Sequence, residues 1–466
     1  MHLLGKVERI EESDWLATQT FFFNSHTGKI SQSISEVINF ANFEWNWEGL
    51  ENYLSIGYSV LGETPVKNVK FLQANSHLVK DKKGQLTTFE NYDKEQELLG
   101  KLEVETQPAE VVELLRSKIV SWERKTDRPI ILPLSGGYDS RFIFSALQDK
   151  KRLHCFTYGL SADQAKSLEV VRAKSIVEAF DTNWTFVALG AFNEYLDSWY
   201  QVFGCSTHAH GMYHIEFYEK IRTYLNRGAY PFVSGLIGDA WAGNVQISQI
   251  STPSDIAKLG YSHGLRASPE HMVRKNKSNH ILEKYFEQKK HLWKSSKYRV
   301  VESMRMKMML LKYLMVIPRE FDFEVFAPFI EEESALAMHN LSNEQKQNRK
   351  WQADYFESVG LDIENRMLEF DNGNTLNSQS LKHQRIPLLS EKLLGEIISP
   401  NYVAWINKNL LNTAKSKFSY RMNSYLKGKR LVHRLAPKDN HLEAYFAYLV
   451  LNPLQKLIEE RNSHTS

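Results

Sequence analysis

The segment Ser-Gly-Gly-Tyr-Asp-Ser at residues 135–140 constrains the fold of this chain more than any other. A short apolar run at 130–134 precedes it, and the apolar residues that follow it recur at helical spacing. This order predicts a buried strand, a tight glycine turn and a helix. Such a turn directs backbone N–H groups and the positive end of a helix toward one point, which favours an anion and above all phosphate.

The polar residues of this segment suit a phosphate site. Gly136 and Gly137 allow close approach of the backbone, while Ser135 and Ser140 can donate hydroxyl hydrogen bonds. Asp139 would repel phosphate, so its presence predicts a divalent cation, most simply Mg²⁺, between the two. The alternative is an ordinary strand–turn–helix connection, which the serines and the aspartate disfavour. No Gly-Lys-Ser/Thr follows the glycines, so the segment is not a Walker A loop.

Composition limits the class of protein. A length of 466 residues predicts two or three domains, and a net charge of +3 is too small to indicate binding to nucleic acid or to an anionic membrane. Two cysteines, Cys155 and Cys205, exclude a disulfide scaffold and favour a reducing compartment. The sequence shows neither a signal-peptide pattern nor an apolar run of membrane-spanning length. We therefore predict a cytoplasmic protein without nucleic-acid or membrane partners.

The remaining patterns divide the chain near residue 104. Before it, a strand is predicted at 21–23, a helix at 50–57, and two strands at 69–79 and 84–89, with the charged stretch 93–105 as the boundary. After it, helices alternate with strands, which predicts an α/β fold with a parallel sheet covered by helices on both faces. The predicted strands are 130–134, 154–158, 184–187 and 231–234, the predicted helices are 109–122 and 165–180, and mostly helices follow residue 255.

A second glycine-rich segment follows the strand predicted at 231–234. It contains Ser234, Gly235 and, four residues later, Asp239. Ligands bind at the carboxyl ends of strands in parallel sheets, so this segment is expected to lie beside the first one. Asp139 and Asp239 would then share one or two Mg²⁺ ions. The alternative is a glycine-rich turn with a capping aspartate.

Four segments in this order resemble the synthetase domain of the glutamine-dependent asparagine synthetases, a family that includes β-lactam synthetases and lasso-peptide cyclases. The segments are 134–140, 155–160, 234–239 and 323–331. The first is also similar to the Ser-Gly-Gly-x-Asp-Ser signature of the ATP pyrophosphatases. The likeness covers roughly residues 105–360, and residues 48–92 resemble the end of the family's N-terminal domain. The domains implied are 1–104, a degenerate glutaminase-like α+β domain, and 105–466, an ATP-binding synthetase domain with a helical C-terminal region.

The resemblance implies that the protein uses ATP and Mg²⁺ to adenylate a carboxylate, releases pyrophosphate, and lets an amine displace AMP. The residues implied for ATP binding are Leu134, Ser135, Gly136, Gly137, Asp139, Ser140, Tyr158, Ser234 and Gly235, with Asp139 and Asp239 as metal ligands. Glu324 is a candidate general base, with an ion-pair role as the alternative. Arg349 and Lys350 are candidates to neutralise the departing pyrophosphate, with a solvated helix face as the alternative.

Departures from the family pattern separate this chain from a complete asparagine synthetase. His2 stands where the glutaminase cysteine would be, so no glutamine hydrolysis is expected. The substrates are then a small-molecule or peptide carboxylate and an amine, which includes ammonia from a separate partner protein. Leu236 and Phe326 replace polar residues of the family, so either another group deprotonates the amine or the ligase step is altered or lost. The alternative function is a nucleotide-binding or scaffold protein. Use of the same loop in tRNA thiolation is disfavoured, because neither a catalytic cysteine nor a basic surface is evident.

Two weaker patterns leave alternatives open. His208, His210 and His214 are interpreted as a metal site, as polar residues on a helix, or as part of an acceptor pocket, and the small number of ligands disfavours the metal. The basic run 415–434 is predicted to be a solvated surface.

Overall fold

The structure is a computed structural model, and it describes residues 8–262, 264–383, 386–411 and 440–465. The strands within these ranges are β1 (Glu8–Glu12), β2 (Phe22–Asn24), β3 (Ile30–Ser31), β4 (Val69–Phe71), β5 (Ser76–Lys80), β6 (Leu86–Glu90), β7 (Ile130–Pro133), β8 (Leu153–Thr157), β9 (Asn183–Phe186), β10 (Tyr230–Val233) and β11 (Phe323–Phe326).

The α-helices of the same ranges are α1 (Ile34–Val37), α2 (Trp47–Ile56), α3 (Tyr92–Leu102), α4 (Pro108–Glu123), α5 (Tyr138–Ala146), α6 (Leu168–Ala179), α7 (Leu196–Phe203), α8 (Tyr213–Thr223), α9 (His280–Lys289), α10 (Ser296–Leu311), α11 (Tyr313–Glu320), α12 (Glu332–His339), α13 (Asn343–Lys346), α14 (Lys350–Ser358), α15 (Leu376–His383), α16 (Glu391–Leu394), α17 (Pro400–Leu411) and α18 (Asn440–Thr465). In the described part of the chain, no helix combines the length and the apolar character needed to cross a membrane.

A five-stranded parallel sheet in the order β11–β10–β7–β8–β9 forms the centre of the fold. Its middle strand, β7, is a run of apolar residues that are buried on both faces, as expected for a parallel sheet covered by helices. The α/β class, the four predicted strands and the helical C-terminal region are confirmed. The edge strand β11 was not predicted, because its four residues resemble the apolar helical segments around it.

The part of the chain before residue 104 contains two antiparallel sheets, in the orders β1–β5–β6 and β3–β2–β4. The strand predicted at 69–79 is wrong as a single element: it is two strands, β4 and β5, that belong to different sheets. Asn75 lies between them with a left-handed φ of 49°, which turns the chain. Helix α2 ends as predicted at Gly57, whose φ of 98° suits glycine.

The stretch predicted as a domain boundary, 93–105, contains helix α3 and packs against the rest of the molecule. Leu98 and Leu102 of this helix are buried in one hydrophobic core that also includes the central sheet. Trp15 packs against Trp241 with the two rings tilted by 34° and their centroids 5.6 Å apart. The division into domains at residue 104 therefore stays a prediction. The basic run 415–434 lies outside the described residues.

Lys312, between α10 and α11, is buried without an ion pair among the described residues. Its Nζ atom lies 4.8 Å from the centroid of the Phe22 ring, and burial lowers the pKa of Lys312 to about 7. The unfolded chain protonates this amine near pH 10.5. Between these two pH values the unfolded state binds more protons than the folded state does. Lys312 therefore makes the free energy of unfolding rise with pH, by about 1.4 kcal/mol per pH unit.

We expect Lys312→Met to remove this pH dependence and to raise the free energy of unfolding at pH 7, since methionine has a similar volume and no charge to desolvate. Urea unfolding at pH 7, 8, 9 and 10 measures the effect. The gain should be largest at pH 7 and should shrink toward pH 10. A constant difference between variant and wild type at all four pH values would contradict this account.

Candidate functional site

Two glycine-rich loops meet at the carboxyl ends of the neighbouring strands β7 and β10. The first loop, 134–140, carries Asp139, which lies against Gly235 and Gly238 of the second loop. A Cβ atom on Gly238 would lie 2.7 Å from Cγ of Asp139, and one on Gly235 would lie 3.2 Å from Cβ of Asp139. Only residues without side chains allow this approach. The structure thus brings the two predicted loops together, with the carboxylate of Asp139 between them.

The first loop is a tight turn that continues directly into helix α5. Gly136 has a φ of 66°, and a Cβ atom there would lie 2.4 Å from Cβ of Arg172. The Oγ atoms of Ser135 and Ser140 lie 3.2 Å apart, and the Ser135 N–H donates to Oγ of Ser140 over 3.2 Å. Gly137 precedes the first turn of α5. These features make a compact loop at a helix N-terminus, which is the predicted setting for phosphate.

Arg141, which the sequence analysis did not identify, stabilises this loop through a hydrogen bond from the protein interior. Its side chain is fully buried and donates to the carbonyl oxygen of Gly136 over 3.1 Å. The same guanidinium pairs with both carboxylate oxygens of Glu364 and donates to the Leu361 carbonyl over 2.9 Å. A charged residue inside an apolar helix was the available sequence signal, because such a residue is buried only with partners.

Arg349 lies between the two predicted metal ligands. Its Nη1 atom is 3.7 Å from Oδ1 of Asp139, and its Nη2 atom is 3.8 Å from Oδ2 of Asp239. These distances allow charge attraction but not hydrogen bonds. The guanidinium also lies 5.2 Å from the centroid of the Tyr138 ring. The structure therefore places Arg349, and not Lys350, at the centre of the acidic pair.

The backbone around Arg349 has an uncommon conformation. Asn348 and Arg349 have φ values of 51° and 55°, in the left-handed region that residues with a Cβ seldom adopt. Such conformations persist where the surroundings hold them, and they occur often at functional sites.

Asp139 is buried and incompletely satisfied. Its Oδ1 atom has no hydrogen-bond partner within the described residues, and the same is true of both polar atoms of the Gln352 amide. Burial, and then the neighbouring charge of Asp239, raise the pKa of Asp139 to about 7, while Arg349 and Gln352 act in the opposite direction. Because the side chain of Asp239 is 44% exposed, the acidic pair is open to solvent on that side. A buried carboxylate oxygen that accepts no hydrogen bond, with a second carboxylate on the other side of Arg349, fits a divalent cation.

The residues predicted to hold the nucleotide lie at the same edge of the sheet. The backbone N–H groups of two of them already donate hydrogen bonds to carbonyl oxygens within the protein. The Leu134 N–H donates to the Phe156 carbonyl and the Ser234 N–H to the Phe326 carbonyl, each over 2.9 Å. Tyr158 follows β8 and packs edge-on against Phe217, with ring centroids 4.9 Å apart. Burial raises the pKa of Tyr158 well above its usual range.

Lys307 of α10 is a further cation that sequence reasoning missed. Its side chain is partly buried, and no ion pair or hydrogen bond involves it among the described residues. Burial lowers the pKa of Lys307, and the charge of Asp239 counteracts that effect. Helix α10 packs against the turn at Ala240–Asn244 that follows Asp239. The sequence of α10 did not indicate that Lys307 belongs to the site, because only the tertiary packing brings Lys307 close to the second loop.

The structure does not bring Glu324 to this cluster. Its carboxylate forms two hydrogen bonds with the guanidinium of Arg128, which also donates to the Ala229 carbonyl. Arg128 and Ala229 precede β7 and β10, so the pair lies at the amino ends of the strands, opposite the loops. The Glu324 side chain is 54% exposed. This position favours the ion-pair alternative over the predicted general base. Lys350 is also exposed and pairs with Asp354 over 2.9 Å.

We expect Glu324→Gln to leave the response to Mg-ATP unchanged and to alter stability by at most about 1 kcal/mol, because exposed ion pairs contribute little. The hydrogen bond from Arg128 lowers the pKa of Glu324, so this carboxylate stays ionised beside its partner at neutral pH. Thermal unfolding with and without Mg-ATP measures both quantities. A Glu324→Gln protein that no longer responds to Mg-ATP would show that this carboxylate acts on the site.

Apolar surroundings enclose Leu236 and Phe326, the two residues that replace polar residues of the family, and they also enclose the histidines. Leu236 is buried, and the ring of Phe326 stacks on Trp122 with centroids 5.0 Å apart. His208 and His214 are buried, and desolvation lowers the pKa of each to about 3. His214 packs against Tyr213 and Tyr313, at centroid distances of 4.4 and 5.2 Å. Within the described ranges, no group of three or more potential metal-binding side chains occurs. These histidines belong to an aromatic core and not to an exposed helix face.

The central sheet and its two loops define an α/β protein with an acidic, glycine-rich site at the carboxyl edge of the strands. Residues 113–202 match the family model described as Asparagine synthase. The matched segment contains the first loop, β8 and Tyr158, and it ends before the loop that carries Asp239. Over this segment the chain is similar to the asparagine synthetases, a family that uses ATP, and the match indicates ATP-dependent amidation only in general terms. No curated protein matches the chain.

Proposed function

We propose that the protein is an ATP-dependent amide ligase that adenylates a substrate carboxylate and releases pyrophosphate. One observation carries the proposal. Asp139 and Asp239 come from loops at two neighbouring strand ends and lie on either side of Arg349, and one buried oxygen of Asp139 accepts no hydrogen bond from the described residues. The family match supports an ATP-dependent ligase as the broader class. The AMP-forming chemistry, the use of Mg²⁺ and the absence of glutaminase activity belong to our proposal.

In the first step, an oxygen of the substrate carboxylate attacks the α-phosphorus of ATP. The bond from that phosphorus to the oxygen bridging the α- and β-phosphates breaks, and pyrophosphate leaves with its electron pair. The loop 135–140 offers hydroxyls and a helix N-terminus to this anion. In our proposal, Arg349, which lies beside Asp139 and Asp239, neutralises the charge that develops on the departing pyrophosphate. When bound by Asp139 and Asp239, Mg²⁺ would supply further neutralisation of the phosphates.

In the second step, an amine attacks the acyl carbon and AMP leaves. The amine must lose a proton, and Leu236 cannot accept it. Another group or solvent therefore accepts the proton. The amine is free ammonia, ammonia from a partner protein, or an amino group of a larger substrate, and the carboxylate belongs to a small molecule or a peptide. Without the glutaminase cysteine, the chain is expected to release no glutamate from glutamine.

Thermal unfolding with and without Mg-ATP tests the nucleotide site first. A ligand at 100 times its dissociation constant adds about 2.7 kcal/mol to the free energy of unfolding. We expect this stabilisation in the wild type and its loss in Asp139→Ala. Pyrophosphate release is then screened with carboxylates in the presence of ammonia. A wild type that is not stabilised by Mg-ATP would contradict the proposal.

The second candidate is a nucleotide-binding scaffold without ligase chemistry. Two observations favour it: Leu236 is buried as an apolar residue, and Phe326 packs on Trp122 instead of offering a polar group to the site. This candidate predicts stabilisation by Mg-ATP but no pyrophosphate release with any carboxylate. Release that depends on both a carboxylate and Asp139 would exclude it.

A further inference from the structure

The guanidinium of Arg349 is a largely buried cation whose hydrogen-bonding capacity is unused. The side chain is 17% exposed and lies between Asp139 and Asp239, yet it donates no hydrogen bond to any residue that the structure describes. A guanidinium carries five N–H donors and keeps its charge in proteins. Attraction to the two carboxylates and contact with the Tyr138 ring hold this group in place. Its donors therefore stay available to an incoming anion.

The backbone fixes the guanidinium in this position. Asn348 and Arg349 both have left-handed φ values, and the chain at 347–349 packs against the turn that follows Asp239. In that turn, Gly243 has a φ of 108°, and a Cβ atom there would lie 2.6 Å from the carbonyl oxygen of Lys346. Only glycine allows this approach. The segment that carries Arg349 is thus packed directly on the second loop.

This arrangement disfavours a free divalent cation at the two aspartates. The Oδ1 atom of Asp139 accepts no hydrogen bond from the described residues, and Nη1 of Arg349 lies 3.7 Å from it. Because Mg²⁺ bonds to carboxylate oxygens at about 2.1 Å, an ion on this oxygen would lie within about 6 Å of Nη1. The guanidinium would repel such an ion, and it also offsets part of the negative charge that attracts the ion.

We propose that Arg349 is the counter-ion of Asp139 and Asp239 in the nucleotide-free protein and excludes free divalent cations, so that Mg²⁺ enters only together with ATP. The triphosphate supplies the anion that accepts the guanidinium hydrogen bonds, since arginine binds phosphate oxygens with paired N–H groups. Arg349 then leaves the two carboxylates to the metal. The inference rests on the proposed function, because it concerns the metal ligands of the same site.

Mn²⁺ binding to the full chain without nucleotide tests this inference. Electron paramagnetic resonance measures it through the loss of the free-ion signal, at pH 8, which is above the pKa of Asp139 of about 7. We expect Arg349→Met to bind Mn²⁺ at least about tenfold more tightly than the wild type, because a cation beside two carboxylates is removed. Arg349→Lys keeps the charge and should bind Mn²⁺ more weakly than Arg349→Met does. Adding Asp139→Asn to Arg349→Met should abolish the gain.

Arg319→Met is the matched control, because it removes the same charge by the same substitution. Arg319 is exposed near the end of α11 and precedes β11, so it lies at the opposite edge of the sheet from the two loops. This variant should bind Mn²⁺ as the wild type does. Equal Mn²⁺ affinity of Arg349→Met and the wild type would overturn the inference, and so would an equal gain in Arg319→Met.

The wild type alone provides a second test if Arg349→Met fails to fold, which circular dichroism would show. MgCl₂ without nucleotide should leave the unfolding temperature of the wild type unchanged, whereas Mg-ATP should raise it. Stabilisation by MgCl₂ as large as that by Mg-ATP would overturn the inference. The Mn²⁺ measurements use neither ATP nor a carboxylate substrate. Their failure is therefore distinct from failure of the ligase proposal, which the screen for pyrophosphate release detects.

Discussion

Asp139→Asn is expected to abolish stabilisation by Mg-ATP while making the ligand-free protein more stable at pH 8. In the folded chain, burial and the charge of Asp239 raise the pKa of Asp139 from 3.8 to about 7. The folded state therefore holds a proton that the unfolded state has lost between these pH values. The free energy of unfolding consequently falls as pH rises from about 4 to about 7, by up to about 1.4 kcal/mol per pH unit.

Asparagine carries no charge at any of these pH values, so the variant escapes this penalty. Its gain in unfolding temperature over the wild type should be largest at pH 8 and should disappear near pH 4. Asp239→Asn is the matched control. The Asp239 side chain is 44% exposed, so its removal should also abolish the response to Mg-ATP but without a comparable gain in stability. Thermal unfolding of the three proteins at pH 4.5, 6 and 8 separates the two effects.

Lower stability of Asp139→Asn than of the wild type at pH 8 would show that the ion pair with Arg349 outweighs the cost of burial. Continued stabilisation by Mg-ATP would show that Asp139 is not needed for the nucleotide. We expect Asp139→Asn to be more stable than the wild type and yet not to respond to Mg-ATP. Such a result would show that Asp139 serves ligand binding and lowers the stability of the fold.

Gly238→Ala is expected to destroy the response to Mg-ATP although it adds only a methyl group. The new Cβ atom would lie 2.7 Å from Cγ of Asp139 and 2.9 Å from Cδ2 of Phe329. Neither neighbour is the end of a long flexible chain, so the Asp139 carboxylate must shift. We expect a loss of stability of about 1–3 kcal/mol, as for other overpacked sites. The shift of the carboxylate should also weaken Mg-ATP binding at least about tenfold.

Gly100→Ala is the matched control for Gly238→Ala. Gly100 lies in helix α3, and among the described residues no atom outside the adjacent residues and the backbone of that helix lies within 4 Å of the Cβ that the substitution adds. Alanine should stabilise the helix by about 0.5–1 kcal/mol and leave the response to Mg-ATP intact. A double-mutant cycle with Asp139→Ala checks the cause: without the carboxylate, Gly238→Ala should cost less stability. Equal costs in both backgrounds would place the strain at Phe329 instead.

The sequence by itself determined the central strands and the first loop. Strands β7 and β10 are short runs of mostly apolar residues, and β8 and β9 mix apolar and polar residues that favour strands; both patterns are local. The proximity of Asp139 to Asp239 was also predictable, since the carboxyl ends of neighbouring parallel strands lie at one edge of a sheet.

Only the tertiary structure decided which charged side chains surround that pair. Arg349 reaches both aspartates, and Glu364 holds Arg141 behind the loop, through contacts between segments far apart in the chain. Glu324 was predicted at the site from its segment, but its place toward the amino ends of the strands follows from the register of β11 against β10. Local patterns predicted strands β7 to β10 but did not predict β11. The edge position and register of that strand depend on packing against the rest of the sheet, which no local pattern encodes.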